Sequence, residues 1–168
     1  LVAANVDLPA PFGVSVVPVG TAEELRTAML AEAGEADVVV MSAAVADFRP
    51  ESVAGTKLKK GSAGEPTSIG LVRNPDVLVE LVGKRSPGQL VVGFAAETGD
   101  ETADVLTHAR SKLTRKGCDL LVVNDVSAGQ VFGRAENAVV VLGADGAVTE
   151  VPRGSKESGV PIADGKLI

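Results

Sequence analysis

Asp37-Val38-Val39-Val40-Met41, running straight into Ser42-Ala43-Ala44-Val45-Ala46-Asp47-Phe48-Arg49, is the stretch on which the fold turns. Its first part is a short apolar run without polar alternation, which predicts a strand covered on both faces, as in a parallel sheet. Its second part replaces bulk with alanine and then places a carboxylate. In an open α/β sheet, ligands collect beyond the carboxyl ends of strands, and small residues there let a ligand approach the backbone. Upstream, Val14 to Val19 reads as a strand that Gly20 ends. Thr21 with Glu24 three residues later fits a capping box, and Leu25 and Met29 give the following helix an apolar stripe. Strand, helix and strand in this order predict a right-handed parallel crossover.

Downstream, Phe48 to Gly64 carries glycine, proline and lysine without periodicity and reads as a long loop or flap. Loops longer than about 12–15 residues inside a domain are usually functional or disordered. Thr67 to Val72 reads as a strand, with Asn74 as N-cap, Pro75 at the first helical position and Asp76 at the positive helix end. Leu90 to Phe94 is another buried strand. A helix from about Glu101 to Lys116 carries Val105, Leu106, Ala109 and Leu113 on one side, and Gly117 stops it. Asp119 to Val123 is the next strand, closing on Asn124 and Asp125. Ala138 to Leu142 and Val148 to Val151 flank Ala144-Asp145-Gly146, a hairpin signal, and the tail from Gly154 onward reads as frayed. The fold class expected is α/β, a three-layer Rossmann-like, mostly parallel sheet with an antiparallel edge hairpin. One domain is expected over residues 1–156, with a flexible tail over 157–168.

Composition narrows the function. The 168 residues are 45% hydrophobic and 2% aromatic, with a net charge of −6. Without Trp or Tyr, a stacking surface for single-stranded nucleic acid is not expected, and the acidic balance argues against duplex binding. The single cysteine, Cys118, rules out an intramolecular disulfide and reads as a core thiol. The single histidine, His108, leaves no second imidazole for a histidine-rich metal site. No apolar run approaches the roughly 20 residues needed to span a bilayer, so no membrane partner and a cytoplasmic location are expected. The chain opens at Leu1-Val2-Ala3-Ala4-Asn5, in what reads as strand and loop, and a fragment of a larger protein is expected.

Several groups invite chemistry, each beside a plainer alternative. Lys57, Lys59 and Lys60 lie in a polar loop, where cations can shield a triphosphate as a nucleophile approaches and pyrophosphate departs; they equally fit a solvated charge run. Lys112 and Lys116 project from one helix face, which the helix dipole favours in any protein. Asn74-Pro75-Asp76 offers a helix start to an anion or a base edge, and capping explains the same letters. Asp47 suits a ribose hydroxyl or a metal-bound phosphate, or a structural turn. Phe94 can lie under a nucleobase or in the core. The chain holds neither a Gly-x-x-x-x-Gly-Lys phosphate loop nor a Gly-x-Gly-x-x-Gly fingerprint, which disfavours a dinucleotide oxidoreductase.

In this order, Ala43 to Arg49, Lys57-Leu58-Lys59-Lys60, Leu71 to Asp76, Val92 to Thr98 and Lys112 through Val126 resemble the phosphopantothenoylcysteine synthetase family, the ligase half of the bifunctional bacterial coenzyme A biosynthesis flavoproteins. The likeness runs from the first residue to about Lys156. The resemblance implies a ligase that uses CTP to activate the carboxylate of 4'-phosphopantothenate as an acyl-cytidylate, which cysteine then captures, with Mg²⁺ assisting. It implies that nucleotide lies along Met41, Ser42, Ala43, Asp47, Pro75, Asp76, Val77, Leu78 and Phe94. Lys57, Lys112 and Lys116 would serve its phosphates, Lys57 as the catalytic cation, and Asn74, Asn124 and Asp125 would line the site. It further implies a homodimer, a decarboxylase domain in the same polypeptide and FMN confined to that domain. The family's early Gly-Gly-Thr segment and its Asn with a Ser-Ser-Gly loop are not in this chain. The expectation is therefore a nucleotide-binding fragment incomplete for ligation, the alternative being a nucleotide-binding or assembly domain without activity of its own.

Overall fold

The computed structural model describes residues 1–56, 68–97, 105–125 and 136–155. The chain forms two compact units, Leu1–Met29 with Ala44–Asp76, and Leu30–Ala43 with the chain from Val77 onward.

In the first unit, β1 (Val2–Ala4) pairs in parallel with β2 (Val17–Val19). The chain then enters α1 (Ala22–Ala33). The expected capping box forms: Glu24 N donates to Thr21 Oγ1 at 3.2 Å, and Glu24 Oε2 accepts from Thr21 N at 3.1 Å and Gly20 N at 2.7 Å. These donors, that of Gly20 foremost, hold the Glu24 carboxyl below the usual carboxylate range. A lowered folded pKa means the stabilisation is present above the unfolded pKa and is lost as pH falls through the folded one. Acidification through the Glu24 pKa is thus expected to lower the protection of the Gly20 and Thr21 amides, measured as exchange relative to the intrinsic rate at the same pH, and Glu24→Gln to remove that change; an equal change in both proteins would refute it.

The first unit also contains β4 (Phe48–Pro50), antiparallel to β5 (Leu71–Arg73). Phe48, expected to open an irregular loop, instead begins a strand. Its register partner is Arg73, whose guanidinium carbon lies 5.8 Å from the Phe48 ring centroid, a cation–π contact. Residues 57–67, which carry the lysines of the expected flap and Thr67 of the expected strand, lie outside the described residues.

The second unit is built on a sheet ordered β3-β6-β7-β8-β9, where β3 is Val38–Met41, β6 Leu90–Glu97, β7 Leu120–Asp125, β8 Glu136–Gly143 and β9 Val148–Ser155. The first three strands are parallel, and β8 and β9 add the antiparallel edge hairpin. This is the α/β class expected. Gly146 turns the hairpin at φ 91, and Asp145 Oδ1 accepts from Ala147 N at 2.9 Å. The strand after Val148 reaches Ser155, so Gly154, expected in the frayed tail, belongs to β9.

Register sorts the side chains onto two faces. Val39, Met41, Val91, Ala95, Leu121, Val123 and Leu142 share the buried face. Against β6 and β7 lie α2 (Val77–Lys84) and α3 (Val105–Lys116), which bury Val77, Leu78 and Leu81, and Ala109 and Leu113. Gly117, at φ 71, ends α3 with its N–H on Leu113 O at 2.8 Å. Cys118 is 1% exposed, and burial pushes its thiol pKa up, which suits an unreactive core thiol. At the amino end of β7, Asp119 accepts from Arg85 Nη1 at 2.9 Å and from Val91 N at 2.8 Å, tying β6 to β7.

Two expectations fail here. Val38 and Val40 are 42% and 53% exposed, so β3 is covered on one face only. A wholly apolar strand conceals its alternation from a sequence reading, because both faces carry the same residue type. Also, β2 hydrogen-bonds to β1 in a separate sheet, so β2, α1 and β3 do not form a crossover within one sheet. No helix among the described residues is long and apolar enough to cross a membrane.

Candidate functional site

In the second unit, three parallel strands run in one direction: β3 ends at Met41 beside Gly93, and β6 and β7 run on four residues to end level with each other, Glu97 beside Asp125. Ser42 and Ala43 leave β3 after Met41 and are exposed. Gly93 is decisive for what packs against β6. A Cβ there would come 2.7 Å from Leu78 Cδ2, 3.2 Å from Leu121 Cδ1 and 3.3 Å from Cys118 Sγ. Only glycine lets the first turn of α2 sit this close to β6, which brings the Val77 end of the helix against β6 at the level where β3 ends.

The side chains of Met41, Val77 and Leu78 are buried, so these residues can meet a ligand only through their backbone. Phe94 is 41% exposed and lies on the face opposite Leu78, with its ring outside the core. Lys112 and Lys116 are both half-buried on α3. Lys112 Nζ forms an ion pair with Glu97 Oε1 at the carboxyl end of β6, a partner that the sequence reading did not assign. Glu97 lies within the Gly93–Thr98 segment, but its partner is 15 positions away on the next helix, a pairing no local spacing encodes. Asn124 is half-buried on β7 beside Ala96.

In the first unit, Asp47 is exposed at the edge of the β4–β5 ribbon. Asn74 does not cap α2: the helix starts at Val77, directly after Asp76, and Pro75 precedes it rather than opening it. Asn74 instead donates from Nδ2 to Ala46 O at 2.8 Å and from its backbone N to Asp47 O at 2.8 Å, while Oδ1 accepts from Arg49 Nη1 at 3.0 Å. The tertiary demand of the alanine-rich turn thus takes the amide that a cap would use. Lys57 lies outside the described residues. Among the described residues no cluster of three or more His, Cys, Asp or Glu is placed to hold a metal ion.

A mostly parallel sheet with helices packed on it makes this an α/β protein, a class in which ligands collect beyond the carboxyl ends of the strands. Residues 1–161 match the DNA/pantothenate metabolism flavoprotein C-terminal domain, and the chain belongs to that family. It is 54% identical over 151 residues to the coenzyme A biosynthesis bifunctional protein CoaBC of Mycolicibacterium smegmatis, covering 87% of this chain and 36% of that protein. The chain therefore spans about a third of the length of the curated relatives it matches. Among solved structures, the C-terminal domain of a CoaBC protein superposes with a TM-score of 0.68 at 32% identity, over 90% of this chain and 63% of that one. The DNA/pantothenate metabolism flavoprotein from Streptococcus pneumoniae shares the fold, with a TM-score of 0.72 at 18% identity over 94% of this chain and 75% of that one.

Proposed function

We propose that this chain carries the nucleotide-handling part of a phosphopantothenate–cysteine ligase of coenzyme A biosynthesis, working as a homodimer. The observation that carries the reading is the 54% identity to a bifunctional coenzyme A biosynthesis protein over 151 residues, beside a family match whose residues 1–161 contain every candidate site residue. In the proposed reaction a carboxylate oxygen of 4'-phosphopantothenate attacks the α-phosphorus of CTP. The new P–O bond forms as the bond to pyrophosphate breaks, leaving an acyl-cytidylate. The cysteine amine then attacks the acyl carbon, CMP departs, and the amine loses its proton.

Such chemistry depends on positioning and on neutralising charge, which matches an inventory without a nucleophilic triad. Backbone groups of Met41, Ser42, Ala43, Pro75, Val77 and Leu78 receive the nucleotide, Asp47 and Asp76 take its hydroxyl or base edges, and Phe94 offers an exposed ring. Asn74, Asn124 and Asp125 are the further residues that the resemblance assigns to the site. Lys57, Lys112 and Lys116 serve the phosphates. Mg²⁺ would arrive on the triphosphate, since this ion keeps phosphate and water ligands and takes only one or two carboxylates; Asp47 suffices for that. Bound there, it would supply charge neutralisation.

The test is calorimetric titration of the chain with CTP and Mg²⁺, run beside pyrophosphate release in the presence of 4'-phosphopantothenate. Binding with release supports the ligase reading. Binding without release supports a nucleotide-binding domain that lacks its own chemistry, and absence of binding removes both.

The Lys112–Glu97 pair adds a prediction. A triphosphate must compete with Glu97 for Lys112, and a partly exposed ion pair holds its partners weakly. Glu97→Gln is expected to tighten CTP binding about two- to fivefold. Unchanged or weaker binding would remove Lys112 from the phosphate-binding set.

A further inference from the structure

We propose that Arg49 is a positioning residue of the nucleotide site, acting through Asn74 to fix the Ala46–Asp47 turn from which the Asp47 carboxylate is presented. This rests on the reading of Asp47 as a nucleotide-binding group. The argument lies wholly within the first unit. A single nitrogen, Arg49 Nη1, donates to Arg73 O at 2.9 Å and to Asn74 Oδ1 at 3.0 Å. That bond sets the polarity of the Asn74 amide. With Oδ1 engaged by a cation, Nδ2 is the end left to face Ala46 O, and it does so at 2.8 Å. The Asn74 backbone N then holds Asp47 O at 2.8 Å. Two consecutive carbonyls of the turn are thus tied to one residue, and that residue is oriented by Arg49.

Ala44, Ala46 and Asp47 are exposed, Val45 between them is half-buried, and alanine side chains offer no hydrogen bond, so the hydrogen bonds to the Ala46 and Asp47 carbonyls come from Asn74. Without the guanidinium, Asn74 Oδ1 is solvated as readily as Nδ2 and the amide loses its preferred orientation. The turn then samples other conformations, and the ordering cost falls on the ligand. Arg49 Nη1 is committed to these two protein acceptors, and through them Arg49 holds the turn.

The experiment is calorimetric titration of CTP with Mg²⁺ into the wild-type chain, Arg49→Met, Arg49→Lys, Asn74→Ala and the double variant Arg49→Met with Asn74→Ala, with an unfolding midpoint for each. Arg49→Met and Asn74→Ala are each expected to raise Kd about tenfold, the effect of losing one charge-assisted hydrogen bond. Arg49→Lys is expected to stay within about threefold of wild type, because one ammonium can donate to both acceptors that Nη1 serves. The double variant is expected to bind within about twofold of either single one, since the two residues act in series. Hydrogen exchange at the Asn74 amide is expected to quicken in Arg49→Met. Additive losses in the double variant, or wild-type affinity in Arg49→Met, would overturn the proposal while leaving the nucleotide site standing. A wild-type chain that binds no CTP would end the functional reading and this inference with it.

Discussion

Gly93→Ala is expected to lower the unfolding midpoint by roughly 3–10 °C and to weaken nucleotide binding at the same time. The added methyl would stand 2.7 Å from Leu78 Cδ2, 3.2 Å from Leu121 Cδ1 and 3.3 Å from Cys118 Sγ. Leu121 is 0% and Cys118 1% exposed, so neither can give way toward solvent. Relief must come from Leu78 and with it the first turn of α2. Overpacking of this kind costs about 1–3 kcal/mol, and for a chain of this size each kcal/mol moves the midpoint by roughly 2–4 °C. Unlike Gly13, Gly88, Gly117 and Gly146, which hold positive φ, this position demands space, and against buried side chains. The double variant Gly93→Ala with Leu78→Val should recover part of the loss by removing the nearest methyl. Thermal unfolding of the three proteins checks this. An unchanged midpoint in Gly93→Ala would mean that α2 is free to shift, and that its placement against β6 is not fixed by this contact.

That contact also marks the limit of what the letters reveal. The capping box of Thr21 and Glu24, the stop at Gly117 and the turn at Gly146 are all legible, because each is settled by groups within a few residues of one another. The parallel core of β3, β6 and β7 is legible from its apolar runs. What was hidden depends on partners far along the chain. Phe48–Pro50 becomes a strand only because Leu71–Arg73 lies beside it, and β2 joins β1, a pairing invisible in either segment. Asn74 has the composition of a cap, yet it answers to Ala46 and Arg49, 28 and 25 positions away. Glu97 is one acidic residue among many until Lys112 finds it. Of the candidate segments, Met41–Ala43 leaves the end of β3 and Val77–Leu78 opens α2, while Lys112 and Lys116 lie along α3. Motif order did not say which side chains these segments leave free for a ligand, and the burial of Met41, Val77 and Leu78 assigns them a backbone role.

Lys57→Met is expected to slow pyrophosphate release by on the order of 10²–10³-fold while changing the CTP dissociation constant less than about tenfold. In the proposed reaction the nucleophile is a carboxylate, and its target is the α-phosphorus of a polyanion. Repulsion between them is greatest as the new P–O bond forms, and charge then accumulates on the departing pyrophosphate. A cation held against those oxygens lowers both barriers, more in the transition state than in the ground state, and so acts on rate more than on binding. Lys57 stands first in Lys57-Leu58-Lys59-Lys60, the segment the resemblance matches to the ligase family. Lys57→Arg keeps the charge but not the compact ammonium and should restore only part of the rate. Lys60→Met provides the contrast: a lysine that acts only through screened attraction gives an expected loss under about tenfold. Single-turnover pyrophosphate release, with calorimetry for CTP, separates the two quantities. Equal losses at Lys57 and Lys60 would make the segment a diffuse charge run, and a loss confined to binding would make Lys57 a phosphate anchor without a part in the chemistry.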